Sequence, residues 1–191
     1  MDNPTLAPYA KDSEVLLRLT AKAASKNEAE AMMTPVLEKV RGILGDIIYG
    51  IDTDSLENTA VTLLKEQNKT LCAAESCTGG LLSKRITDIA GASNVFNGGA
   101  VTYATSSKTS VLGIDAGLIS DKGVVSREVA EQMAQNVRKL YGTDLGIGIT
   151  GVAGPGADES GTEAGTVFVA LAADDGVFCR SLNLPFGRER V

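Results

Sequence analysis

Three short stretches of this chain hold residue types that do chemistry when brought together. The first is Ala74-Glu75-Ser76-Cys77-Thr78-Gly79-Gly80, where an apolar run, residues 71–74, gives way to a helical pattern. A hydroxyl at such a turn sits beside helix-start N–H groups, which favour negative charge and can stabilise an oxyanion or hold a phosphate. Ser76 therefore reads as a nucleophile, and equally as a helix cap, since Ser and Thr are favoured there. Cys77 is a rival nucleophile that would need an activator; a small side chain packed under the turn is its other reading. The second stretch, Thr102-Tyr103-Ala104-Thr105-Ser106-Ser107-Lys108, follows an apolar strand pattern. Lys108 can act as a base only if burial or a nearby cation brings its pKa towards about 7–8; otherwise it is a solvated surface lysine. Tyr103 could pass a proton, or simply pack. The third is Ile149-Thr150-Gly151-Val152-Ala153-Gly154-Pro155-Gly156-Ala157-Asp158, a glycine-rich loop after another apolar strand. Its backbone suits a nest around an anion, but it lacks the GxxxxGK[ST] of a Walker loop. The polar residues that follow, Asp158 to Glu163, read as solvated. Arg188 and Arg190, near the C-terminus, could meet a phosphate or sit in solvent.

The chain has no histidine. Ser-His-Asp and Cys-His chemistry and histidine-based zinc sites are thereby excluded. Three cysteines, Cys72, Cys77 and Cys179, form no CxxC pair and are too few for an all-cysteine zinc site. They read as reduced thiols of a cytoplasmic protein. Bases and acids must come from Lys, Tyr, Asp or Glu. A net charge of −6 with no basic run disfavours nucleic acid as a partner. No apolar stretch reaches the roughly 18 residues of a membrane span, and the first 30 residues do not read as a signal peptide.

The elements that must position these residues follow from periodicity. Residues 14–23 alternate as a strand, with Val15, Leu17, Leu19, Ala21 and Ala23 on one face. Residues 27–44 switch to helical spacing, with Met33, Val36, Leu37, Val40, Ile43 and Leu44 as the stripe and Pro35 as a possible kink. Residues 47–49 then read as a short strand, making a β-α-β piece. Beyond a boundary at 50–54, a helix near Ser55 turns Leu56, Ala60, Leu63 and Leu64 inward. Strands follow at 70–74, 98–104, 144–150, 165–172 and 176–183. Helices are expected at 78–89, 105–112 and 127–140, the last capped by Ser126 and buried through Val129, Ala130, Met133, Val137 and Leu140. Alternating strands and helices predict a three-layer α/β/α sandwich, residues 54–191, behind a small α+β module, residues 1–53.

Several motifs occur together and in order: ESCTGG (75–80), TDIAGAS (87–93), GGAVTYATSSK (98–108), GVVS (123–126) and ITGVAGPGA (149–157). In this the chain resembles the CinA C-terminal family, which includes nicotinamide mononucleotide deamidases of the PncC type. Residues 3–23 resemble the KH-like linker module of full-length CinA proteins. The larger N-terminal domain of those proteins has no counterpart here, so the chain looks like a fragment of such a protein or a short version of one. The resemblance implies an amidohydrolase that converts nicotinamide mononucleotide to nicotinate mononucleotide and ammonia, with no metal or organic cofactor. Ser76 would be the nucleophile, Lys108 its base and Tyr103 an assistant. The candidate substrate-binding residues are Glu75, Thr78, Gly79 and Gly80 in the first turn, Thr150, Gly151 and Gly154 in the glycine loop, and Arg188, which matches a family arginine imperfectly. The expected partners are the nucleotide and a second copy of the chain, a homodimer, with no membrane. The competing reading is a non-catalytic nucleotide-binding or interaction module. KH-like modules bind nucleic acid through a GxxG loop, and none occurs in residues 1–53.

Overall fold

In the computed structural model, residues 3–11 and 14–191 are described. The chain divides into two compact units, Met1–Asp52 and Thr53–Val191. The first unit is a hairpin followed by a helix. Strand β1 (Thr5–Lys11) pairs antiparallel with β2 (Glu14–Thr20), setting Leu6 opposite Leu19, Pro8 opposite Leu17 and Ala10 opposite Val15. Helix α1 (Lys26–Leu44) starts at Ser25, whose hydroxyl accepts the Glu28 N–H, and the Glu28 carboxylate in return accepts the Ala24 N–H. This reciprocal arrangement resembles a capping box. The helix runs through Pro35 without a break.

The unit is therefore β-β-α, not the β-α-β of the sequence reading. Residues 47–49 form no strand: Ile47 closes a 3₁₀ turn, Gly45–Ile47, and the Tyr49 hydroxyl donates to Glu14 Oε2 at 2.5 Å. Within the predicted stripe Met33, Val36, Leu37, Val40 and Leu44 are half-buried, whereas Ile43 is 71% exposed.

The second unit is built on a five-stranded sheet of order β4-β3-β5-β6-β7. Its strands are β3 (Leu71–Glu75), β4 (Phe96–Val101), β5 (Leu145–Gly151), β6 (Thr166–Ala173) and β7 (Gly176–Asn183). The first three run parallel, and β6 and β7 return antiparallel. All five residues of β3 are buried, because alternate side chains enter two separate cores. Leu71 and Ala73 pack with Val61 of α2 (Leu56–Glu66) and Ile86 of α3 (Leu81–Thr87). Cys72 and Ala74 face the other way, onto Val129, Met133 and Val137 of α6 (Arg127–Tyr141). Two further helices, α4 (Thr105–Leu112) and α5 (Ala116–Lys122), add Leu112 and Leu118 to that second core. Helices cover both faces of the sheet, which makes the unit a three-layer α/β/α sandwich.

Several inward faces differ from the sequence reading. In α2 it is Val61 and Leu64 that turn inward; Leu56 and Leu63 are exposed. In α6 Ala134 replaces Leu140 in the buried stripe. Helix α5, capped by the Asp115 carboxylate, was not anticipated. No helix among the described residues is long and apolar enough to cross a membrane.

Helix α6 lies directly on β5. A Cβ on Gly148 would collide with the Ala130 carbonyl oxygen and the Ala134 amide nitrogen, both helix backbone atoms that have nowhere to move. Gly148→Ala should therefore cost about 1–3 kcal/mol through overpacking, read as an earlier urea midpoint. Gly42→Ala is the control on an open helix surface, where an added methyl meets nothing within 4 Å. It should gain about 0.5–1 kcal/mol from reduced chain entropy.

Candidate active site

Three strand ends meet at one edge of the sheet. Glu75 is in register with Val101 on β4 and with Ile149 on β5. The backbone continues the pairing one step further: Thr102 N–H donates to Glu75 O at 2.8 Å and Ser76 N–H to Ile149 O at 3.0 Å. The carboxyl ends of parallel strands are where open α/β sheets bind ligands. Helix α4 then turns Lys108 back beneath this edge. Its Nζ lies 2.9 Å from Ser76 Oγ and donates to the Thr102 carbonyl at 2.7 Å. Lys108 is 1% exposed and Ser76 7%. Burial pushes the Lys108 pKa down from 10.5 to about 8. With an unprotonated amine, the 2.9 Å contact runs the other way, from the serine hydroxyl to the nitrogen lone pair. That is the geometry in which a lysine can take a proton from a hydroxyl. Burial also raises the neighbouring Cys77 thiol above its usual range and keeps it neutral, so the stronger native nucleophile is left unactivated.

The turn after Ser76 is not the bare helix start that its sequence suggests. The Gly79 N–H donates to Ser76 O at 3.0 Å. Glu75 Oε2 accepts the N–H groups of Gly80 and Leu82, and Oε1 accepts the N–H and the hydroxyl of Ser83. Burial alone would raise the Glu75 carboxyl, but the Ser83 and Leu82 hydrogen bonds outweigh it and hold it below the usual range. Glu75, Gly79 and Gly80 thus shape the turn from within: the carboxylate and the two glycine amides are already hydrogen-bonded inside the chain. Positive φ values of 59° at Gly79 and 99° at Gly80 allow the chain to fold back over the carboxylate. The Cys77 and Thr78 amides remain. They donate to no oxygen among the described residues and lie beside the Cys77 sulfur. Thr78 Oγ1 is buried next to the Glu75 carboxylate but outside hydrogen-bonding geometry.

Ser76, Lys108, Tyr103 and Arg188 share a cleft of about 460 Å³ with the loop 150–159. That size suits a small-molecule site. Tyr103 is 58% exposed at the rim, where its hydroxyl accepts from Arg188 Nη2 at 2.7 Å. Arg188 Nη1 donates to Gly154 O at 3.0 Å, so the guanidinium bridges two walls of the cleft through neutral oxygens. The Thr150 hydroxyl donates to the Val124 carbonyl at 3.0 Å, which anchors the wall and leaves its side chain no free donor. Gly151 backs onto Cys77, where an added Cβ would lie 3.1 Å from the sulfur.

Two participants carried no sequence signal. The Thr102 carbonyl is a backbone atom that any residue type would supply. Asp158, read as solvated, instead folds inward and organises its loop, as Oδ1 accepts the Ser160 N–H, the Ser160 hydroxyl and the Thr162 N–H. The described residues contain no group of three or more His, Cys, Asp or Glu side chains placed to hold a metal.

Residues 53–191 match the family model of the CinA C-terminal domain, and residues 1–50 match that of the damage-inducible protein CinA KH domain. The chain belongs to the CinA family. A CinA-like protein of Desulfovibrio desulfuricans is 50% identical over 186 residues, 97% of this chain and 44% of that protein. The chain spans about half the length of the curated relatives it matches. Among solved structures, a CinA superfamily protein of Escherichia coli aligns with a TM-score of 0.69 at 29% identity, covering 73% of this chain and 83% of that one. The competence/damage inducible protein CihA of Agrobacterium tumefaciens gives a TM-score of 0.67 at 32% identity, covering 70% and 82%.

The depressed lysine has a thermodynamic signature. Between pH about 8 and 10.5 the unfolded chain holds a proton on Lys108 that the folded chain has released. Stability attributable to this residue therefore rises with pH across that window. Relative to Lys108→Met, the wild type should gain up to about 1.4 kcal/mol per pH unit there, with a flat difference below the window. Urea unfolding at a series of pH values measures it. A difference that stays flat up to pH 10 would mean that the lysine titrates normally.

Proposed function

We propose that the C-terminal domain of this CinA-family chain is a serine amidohydrolase that deamidates nicotinamide mononucleotide. The observation that carries the proposal is the buried Lys108 amine 2.9 Å from the Ser76 hydroxyl, with a pKa lowered to about 8. The choice of substrate draws on the motifs shared with the PncC-type deamidases.

The geometry suggests a two-stage cycle. Unprotonated Lys108 takes the Ser76 proton as Oγ bonds to the carboxamide carbon. The carbonyl oxygen becomes an oxyanion, and the Cys77 and Thr78 amides, which donate to no oxygen among the described residues, are the donors we assign to it. In related sites one such donor contributes about 2.7–4 kcal/mol. Protonated Lys108 gives its proton to the nitrogen as the C–N bond breaks, and ammonia departs, leaving an ester on Ser76. Lys108, again neutral, takes a proton from water as the water adds to the ester carbon. It returns that proton to Ser76 Oγ as the C–O bond breaks and nicotinate mononucleotide leaves. The Thr102 carbonyl holds Nζ in line through both stages. Arg188, exposed and bonded only to neutral oxygens, offers its charge to the phosphate at the rim.

Ammonia release from nicotinamide mononucleotide tests this directly. Ser76→Ala should fall to background and Lys108→Ala by about 10²–10⁴-fold in kcat. In the wild type kcat/KM should rise with pH to a plateau through an apparent pKa of about 8, because the unprotonated lysine is the active form. Normal turnover by Ser76→Ala with loss in Cys77→Ala would overturn the nucleophile assignment. Binding of the nucleotide without ammonia release would make the cleft a binding site only.

A further inference from the structure

Asp158 lies in the wall of the same cleft as Ser76 and Lys108. Its Oδ1 is saturated by Ser160 and Thr162, whereas Oδ2 is shut off from water and has no hydrogen-bond partner. Burial works to raise its pKa, but the Ser160 and Thr162 hydrogen bonds prevail and keep it ionised. The two basic side chains of the cleft do not compensate it. Lys108 is turned to Ser76 and Thr102, and Arg188 to Tyr103 and Gly154. The residue as a whole is half-exposed, but its covered oxygen has no cation bonded to it among the described residues, so negative charge is held uncompensated at the cleft wall. Its loop-stapling role needs only an oxygen acceptor at Oδ1, which a neutral side chain would supply.

We propose that Asp158 makes the cleft selective for a positively charged ring, so that the carboxamide it accepts is one carried on a cationic pyridinium. The inference rests on the reading of the cleft as a nicotinamide mononucleotide site and names what that site discriminates. The nucleotide is dipolar, with a permanent positive charge on the ring nitrogen and negative charge on the phosphate. Arg188 at the rim and Asp158 in the wall give the cleft charges of both signs to match. Asp158 acts through its field, since Oδ2 is covered. A cleft of about 460 Å³ keeps a bound ring close to its walls, and once the ring displaces water from the cleft the charge at the wall is screened less than in open solvent. Glu159 lines the cleft too, but it is exposed and water screens it. A ring of the same shape without the charge would forgo this attraction while keeping its phosphate contacts.

The dihydropyridine form of the nucleotide is that ring. Calorimetric titration of Ser76→Ala, which cannot turn over, compares the two forms. The oxidised form should bind about tenfold more tightly, the size a single weakly screened charge pair produces. Adding Asp158→Asn should remove that preference by weakening the oxidised form alone. Asp158→Ser, which keeps an oxygen acceptor without the charge, makes the same comparison if the asparagine variant does not fold. Equal weakening of both forms would reduce Asp158 to a loop staple, and an unchanged preference would exclude it as the source of selectivity. Failure of Ser76→Ala to bind either form would overturn both readings. Ammonia release by the wild type separates the remaining cases. Preference lost on neutralising Asp158 without any wild-type turnover would sink the amidase and leave the charge selectivity. Turnover with an indifferent Asp158 would do the reverse.

Discussion

Everything at this site depends on a primary amine taken out of water and set against a hydroxyl. A lysine in solvent is protonated at neutral pH and has no lone pair to offer. Lys108 is nearly fully covered, has no carboxylate partner among the described residues and is held by one carbonyl and one serine oxygen. That environment disfavours the charged form. In a chain without histidine, desolvation is what can leave a side-chain nitrogen able to accept a proton near neutral pH.

Holding the amine there falls to the rest of the domain. Parallel pairing of β3 with β4 and β5 brings the segments after each strand to one edge. The alternating faces of β3 bind a helical layer on either side, and the lack of side chains at Gly146 and Gly148 lets α6 lie directly on β5. Glu75 couples strand to site. It ends β3, it is 1% exposed, and its carboxylate gathers four donors from the turn and the first turn of α3. The turn that presents Ser76 is thereby fixed from beneath, and the Cys77 and Thr78 amides beside the Cys77 sulfur are claimed by no oxygen among the described residues.

The sandwich was legible because its long elements have clean periods: the α6 stripe follows the Ser126 cap, begins at Val129 and repeats at helical spacing, and β5 is an apolar run ended by glycine. Shorter elements were not. β1 contains Pro8 and too little alternation to register as a strand, and only its pairing with β2 defines it. Ile47-Ile48-Tyr49 has strand composition but no partner strand among the described residues, and it ends as a 3₁₀ turn followed by irregular chain. The grouping of Ser76, Tyr103 and Lys108 could be anticipated from strand ends alone. The inward turn of Glu75, the tether from Thr150 to Val124 and the covered Oδ2 of Asp158 could not. Each depends on where loop backbone atoms lie in space, and residue type does not encode that.

The site stands or falls on whether Lys108 loses its proton at a pH where other lysines stay charged. Nitrogen-15 NMR of the lysine side chains, with the Lys108 resonance assigned by its loss in Lys108→Arg, reads this without relying on substrate or turnover. This one nitrogen should titrate with a midpoint at about 8. A midpoint at the ordinary lysine value of 10.5 would contradict it.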